Sequence, residues 1–349
     1  MDRRTFVKST AVLGAATLSG NLAHAQGNKA EGTPAVTDAG LDKPCAEFSF
    51  RKGKFKILQL TDTHYISGDP RSERALKNVE YVLDKEKPDL VIHTGDIIFG
   101  QPAEQSLRDI LAPISERKIP FAVALGNHDG QFGLTRTQVF DVIKSIPGNI
   151  NRGVPGITGD SNDIITLSSE SGESKWVFYL FDSLDKIELG DLKGYDYIHF
   201  DQIDWYLRHS REYTRGNGGK PLPSLAFFHI PFPEFKTAWQ DKWLDVNGFI
   251  RELPGSPIYN SGLFLQMMQA GDIKAVICGH DHNSDYVQRW HGMLFMYGRF
   301  SGGDTVYNDL KPNGARIIEL SEGSEEIHSW IRLYKEGVLH DAVYPGFFD

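Results

Sequence analysis

Phe55-Lys56-Ile57-Leu58-Gln59-Leu60-Thr61-Asp62-Thr63-His64 is the decisive stretch: an apolar-rich run that stops at a threonine and then presents two metal-binding side chains. The arrangement recurs four times. Residues 90–94 precede Gly95-Asp96, residues 121–125 precede Gly126-Asn127-His128-Asp129, residues 225–228 precede His229, and residues 275–278 precede Gly279-His280-Asp281-His282. Short apolar runs bounded by turn residues read as buried strands, so five strands each deliver ligands at their C-terminal ends. In an open α/β sheet, that edge is where the ligand crevice forms.

Between the first runs, residues 71–87 carry helical spacing at Ala75, Leu76, Val79, Val82 and Leu83 and stop at Pro88. A helix there would join two parallel strands, and residues 106–117 and 137–146 repeat the pattern. Residues 148–160, with Pro155 and four glycines, break the rhythm; 164–167 and 176–181 then read as paired strands and 201–213 as a helix carrying Trp205 and Leu207. The insert at 231–257 is rich in aromatic residues, proline and charge, which predicts a rim loop beside His229 rather than a separate domain. Its Phe235, Trp239 and Trp243 would line a pocket or pin the insert to the core. Residues 286–290, 293–297, 316–320 and 327–333 read as late, meandering strands. The predicted fold is α/β, two packed sheets flanked by helices.

Seven candidate ligands follow: Asp62, His64, Asp96, Asn127, His229, His280 and His282. Asp62 and His64, like His280 and His282, are two apart, so in extended backbone each pair would face one way. Glycine before Asp96, Asn127 and His280 permits a tight turn or close backbone approach. Four imidazoles, two carboxylates and one amide suit Zn, Fe or Mn better than Ca or Mg, and the absence of thiolate argues against a structural zinc site. Two dications, offset by the two carboxylates and a bridging hydroxide, would leave a net positive centre fit for a phosphate ester. His93 reads as core or as support for the ligands. Asp129, Asn283 and Asp285 flank the motifs and could orient ligand imidazoles, and Arg299 reads as solvated at a turn rather than as a phosphate contact.

The 349 residues carry a formal charge of −9. Arg3-Arg4, a weakly apolar stretch at 11–22 and Ala23-His24-Ala25 form the pattern of a twin-arginine export signal, too short in its apolar part to span about 30 Å of hydrocarbon. The predicted organisation is a signal peptide at 1–25, a linker at 26–50, order from near Phe55, and one domain over 51–349. Cleavage would remove Arg3, Arg4 and Lys8 against Asp2, a net +2, lowering the charge from −9 to −11. Such acidity disfavours nucleic acid as a partner. The expected partners are the export machinery and a small phosphoester, with no stable membrane insertion after cleavage and a periplasmic or secreted location. Cys45 and Cys278 are expected to be free thiols.

Together these motifs resemble the calcineurin-like metallophosphoesterase superfamily over residues 54–300, in particular its atypical purple-acid-phosphatase-like branch of plants and fungi. The resemblance implies a four-layer sandwich and two divalent or mixed-valence metal ions. One would be held by Asp62, His64, Asp96 and His282, and the other by Asp96, Asn127, His229 and His280, with Asp96 bridging. It further implies in-line attack on phosphorus by a metal-activated hydroxide, with His128 as general acid to the leaving group. Three residues after Asp96, purple acid phosphatases carry an iron-binding tyrosine and Ser/Thr protein phosphatases an aspartate; this chain has Phe99. His64 stands where the purple enzymes have a glycine. The leading expectation is phosphomonoester hydrolysis, with a phosphodiesterase or a metal-binding scaffold without activity as alternatives.

Overall fold

The protein is described by a computed structural model covering residues 41–241 and 245–349. The predicted signal peptide, the linker up to residue 40, and Trp243 lie outside the described residues. One sheet runs, edge to edge, through β1 (Ala46–Ser49), β5 (Asp163–Ser168), β6 (Ser174–Leu180), β9 (Ser224–Phe227), β11 (Ile273–Cys278), β13 (Met293–Tyr297), β12 (Val287–Trp290) and β10 (Asp245–Asn247). The other runs through β16 (Val338–Tyr344), β15 (Ile327–Leu333), β14 (Gly314–Ser321), β2 (Lys54–Leu60), β3 (Leu90–His93) and β4 (Phe121–Val123).

Alternation along the strands builds the layers. Phe55, Ile57, Leu90 and Ile92 point from the second sheet towards Phe178, Leu225, Phe227 and Ile277 of the first, forming the sandwich core. Leu58, Leu60 and Val91 face the other way, onto α1 (Glu73–Glu86), α2 (Ala103–Glu116) and α3 (Arg136–Lys144). Val177, Tyr179, Ala226 and Val276 likewise pack on Trp205 and Tyr206 of α4 (Phe200–Gly216) and Met267 of α6 (Leu263–Ala270). Each fully buried Leu, Ile or Phe contributes about 1.5–3 kcal/mol, so three such layers account for the order of helix, sheet, sheet, helix. This is the four-layer α/β sandwich anticipated from the sequence.

Registry places the site. β2 pairs parallel with β3, and β3 with β4, because α1 and α2 cross over between them; Leu60 lies opposite His93, and His93 opposite Val123. In the facing sheet β9 and β11 are parallel, with Phe227 opposite Ile277. All five C-terminal ends therefore open towards one edge of the sandwich.

Several elements depart from the sequence reading. Order begins ahead of Phe55: β1, inside the predicted linker, pairs parallel with β5, and its Phe48 packs against the sandwich core. The insert holds a helix, α5 (Pro233–Gln240), and the edge strand β10; Phe235 is buried while Trp239 is 38% exposed, so Phe235 pins the insert. The hairpin of β7 (Lys186–Leu189) and β8 (Leu192–Tyr195) was not anticipated, nor were α6 and β16. Cys45 and Cys278 are both buried free thiols. Among the described residues, no helix is long and apolar enough to cross a membrane.

Candidate metal centre

The loops after β2 and β3 run side by side, with Asp62 N–H donating to the Gly95 carbonyl and His64 N–H to that of Asp96, each at 3.0 Å. Close packing here demands glycine. A methyl at Gly126 would overlap the backbone nitrogen and Oδ1 of Asp96, and one at Gly279 would overlap Thr61 Oγ1. The ligand pairs are not extended, as the sequence reading had it. Asp62 (φ 55°), His64 (φ 42°), Asp96 (φ 53°) and His280 (φ 78°) all adopt left-handed backbone. Such conformations cost of order 1–3 kcal/mol each in non-glycine residues and persist where the surroundings over-determine them.

The consequence is a sorted set of ligands. Asp62, His64 and His282 gather in one group and Asp96, His229 and His280 in another, with the ligand atoms of each group within 4.8 Å of one another. His280 and His282 thus serve different groups, because a turn at 279–282 separates them where an extended strand would have aligned them. Asp96 joins the two. Its Oδ1 accepts the His128 N–H at 2.8 Å, while Oδ2 lies 3.1 Å from His229 Nε2 and 3.7 Å from His64 Nε2. One oxygen is committed to the backbone and the other is shared.

Hydrogen bonds fix which ring atoms face inward. His229 Nδ1–H donates to the Thr94 carbonyl at 2.7 Å and His282 Nδ1–H to the Tyr307 carbonyl at 2.9 Å, so Nε2 of each is the atom that a metal ion could take. His282 Nε2 lies 3.1 Å from His64 Nε2. Two nitrogens on one ion at about 2.0–2.1 Å are separated by about 2.9 Å at right angles and about 3.4 Å in a tetrahedron, so that spacing fits a shared cation. Asn127 Oδ1 is buried without a hydrogen-bond partner among the described residues. A buried unpaired acceptor is costly, and a metal ion is a partner this atom could take.

The electrostatics agree. Burial alone would raise Asp96, yet His229 beside it holds the carboxyl well below its usual range; Asp62 is lowered against burial by His282 and His229. Burial pushes His64 and His280 down to about 3, so both offer lone pairs at neutral pH. His229 goes the other way, up to about 9, because the Asp96 charge outweighs burial; a dication would displace that proton.

The supporting residues differ from those proposed. Asp129 orients backbone rather than imidazole: it accepts from the N–H groups of Asp96 (3.1 Å), Ile97 (2.7 Å) and Gly126 (2.8 Å), and burial with the nearby Asp96 charge raises it to about 6. Asp129→Leu leaves those three buried donors unpaired and is expected to destabilise the fold by roughly 2–5 kcal/mol; an unchanged urea midpoint would reject this. Arg299 is buried rather than solvated, paired with Asp285 at 2.6 Å and donating to the Leu310 and Pro312 carbonyls. Asp285 is therefore spent on Arg299 and orients no ligand. Asn283 braces Asp309, steadying the loop that carries Tyr307. His93 is core, bonded through Nε2 to Thr63 Oγ1 at 3.0 Å.

Sequence reasoning missed the second layer. Thr61 Oγ1 donates to Asp62 Oδ2 at 2.7 Å, Tyr307 stacks on His282 at 4.4 Å, and Tyr195 of β8 meets His280 edge-on at 4.5 Å. Only Thr61, within the first motif, had a local signal. The insert does reach the site: Gly255 packs on His280 and donates to the Asp281 carboxylate at 3.0 Å. His128 is half-buried, its ring centroid 5.6 Å from that of His64 and 5.0 Å from that of Phe99.

A family model for calcineurin-like phosphoesterases matches residues 55–284. The chain is 33% identical to probable inactive purple acid phosphatase 29 of Arabidopsis thaliana, over 80% of this chain and 79% of that one. It is also 33% identical to phosphatase DCR2 of Saccharomyces cerevisiae, over 81% of this chain and 54% of that one. A dimetal phosphatase from Danio rerio shares the fold, with a TM-score of 0.55 at 12% identity, covering 82% of this chain and 98% of that one.

Proposed function

The chain belongs to the calcineurin-like phosphoesterase family, and on that footing we propose that it is an exported, binuclear metal-dependent phosphatase acting on phosphomonoesters. The observation that carries this reading is the Asp96 carboxylate, whose Oδ2 lies 3.1 Å from His229 Nε2 in one candidate ligand group and 3.7 Å from His64 Nε2 in the other. Two ions held there would supply Lewis acidity to phosphoryl oxygens and would lower the pKa of water, so that a nucleophile would be available at neutral pH. Asp62, His64, His282 and Asp96 would hold the first, and Asp96, Asn127, His229 and His280 the second. His128, whose ring centroid is 5.6 Å from that of His64, would give a proton to the departing alkoxide.

Metal analysis of the purified protein, with rates on p-nitrophenyl phosphate and its bis ester, tests the reading. Two ions per chain and a strong preference for the monoester are expected. Preference for the bis ester would instead make it a phosphodiesterase. The names of some relatives include the word inactive, and a fully loaded protein inert towards a broad phosphoester panel would make this chain a scaffold.

Phe99 supplies no phenolate, and its ring instead packs edge-on against His64 and His128 at 5.0 Å each. The metal-loaded protein is accordingly expected to be colourless; an intense tyrosinate charge-transfer band in the visible spectrum would reject the ligand set. Arg3-Arg4 with the Ala23-His24-Ala25 pattern supports twin-arginine export to the periplasm, a route that carries folded cargo. Mass spectrometry of the periplasmic protein should find a chain starting at Gln26, and retention of the full-length chain in the cytoplasm would reject it.

A further inference from the structure

What holds the ring of His128 is a glutamine. Gln131 Nε2 lies 2.8 Å from the Asn127 carbonyl oxygen and 3.4 and 3.3 Å from Oδ1 and Oδ2 of Asp185. All of these accept and none donates, so the NH2 end of the amide must face them. Gln131 Oε1 is then the atom 2.8 Å from His128 Nδ1. An amide oxygen only accepts, hence Nδ1 carries the proton and Nε2 is the atom left to exchange one with a substrate.

We propose that Gln131, braced by Asp185, is the positioning residue that fixes the tautomer and orientation of His128. Phe99, which packs edge-on against the same ring at 5.0 Å, offers it no hydrogen bond. Asp185 stands immediately before hairpin β7–β8, which its carbonyl helps close by accepting from Asp196 N–H at 3.1 Å. The same hairpin ends in Tyr195, edge-on to His280. One short segment therefore touches both the brace of the histidine and a member of the second ligand group.

The kinetic half of this inference rests on the phosphatase reading; the tautomer does not. Long-range proton–nitrogen NMR of the full chain, labelled at histidine and loaded with zinc, is the test, with the His128 signal assigned from His128→Ala. The expected result is protonation at Nδ1 in the wild type and a mixture of tautomers in Gln131→Leu, with Asp185→Ala between the two. Gln131→Leu should also slow an alkyl phosphate roughly three- to tenfold, the scale of one partly exposed hydrogen bond. It should leave p-nitrophenyl phosphate, whose leaving group needs no proton, within about twofold, at unchanged metal content. An Nε2–H tautomer in the wild type, an unchanged tautomer in Gln131→Leu, or an equal loss on both esters would overturn the proposal. Nδ1 protonation in a protein that cleaves no phosphoester would retain the positioning and reject the phosphatase.

Discussion

Asp96→Asn is expected to empty the centre of at least one metal ion and to abolish turnover. The physical argument lies in the two oxygens of Asp96. Oδ1 is tied to the His128 N–H, and Oδ2 alone faces both ligand groups. An asparagine that keeps its oxygen on the His128 N–H turns an amide nitrogen towards the metals, and that nitrogen has no lone pair to give. The flipped amide points N–H at N–H. Loss of residues that merely support ligands typically costs 10–100-fold in metal affinity, so loss of the shared ligand should exceed about 100-fold, with activity down by at least a comparable factor. Titration of the apo protein with zinc measures it directly. Two ions retained per chain with a near-normal rate would show that Asp96 bridges nothing.

His128→Ala should separate chemistry from metal binding. Alanine keeps the backbone N–H that restrains Asp96 Oδ1, so both ions should remain. What disappears is the proton donor, worth about 10²–10⁴ in rate where the leaving group is a poor one. The loss should therefore be large on alkyl phosphates and small on p-nitrophenyl phosphate. Wild-type behaviour on an alkyl phosphate would remove His128 from the mechanism, and loss of the metals would recast it as part of the ligand framework.

The parts of this molecule that could be read from its sequence are those in which burial leaves a periodic trace. Alternation at Phe55, Ile57 and Leu58, Leu60, and the 3.6-residue spacing of Ala75, Val79 and Val82, announce a strand and a crossover helix because each face must meet a different layer. The seven candidate ligands were legible for a related reason: each lies just beyond such a strand. The division of those ligands into groups was implied by the family resemblance alone, since it depends on left-handed turns that no periodicity records. Buried charge was equally opaque. Arg299 looks like any surface arginine until Asp285 and two carbonyls enclose it. The β7–β8 hairpin, with Leu189 and Leu192 exposed at its tip, lacks the apolar alternation that would reveal a strand pair. Gln131 escaped because an amide four residues beyond Asn127 carries no motif of its own.

The left-handed backbone of His64 bears on how such a centre changes over generations. At a position with φ near 42°, glycine is the conformationally cheapest occupant, and histidine is held there at the expense of fold stability. Exchanging one residue for the other moves backbone stability and ligand number in opposite directions, so drift towards a more robust protein favours shedding this ligand. A directed-evolution campaign selecting only for heat resistance would be pulled the same way, and one meant to preserve the centre would have to select on metal retention as well.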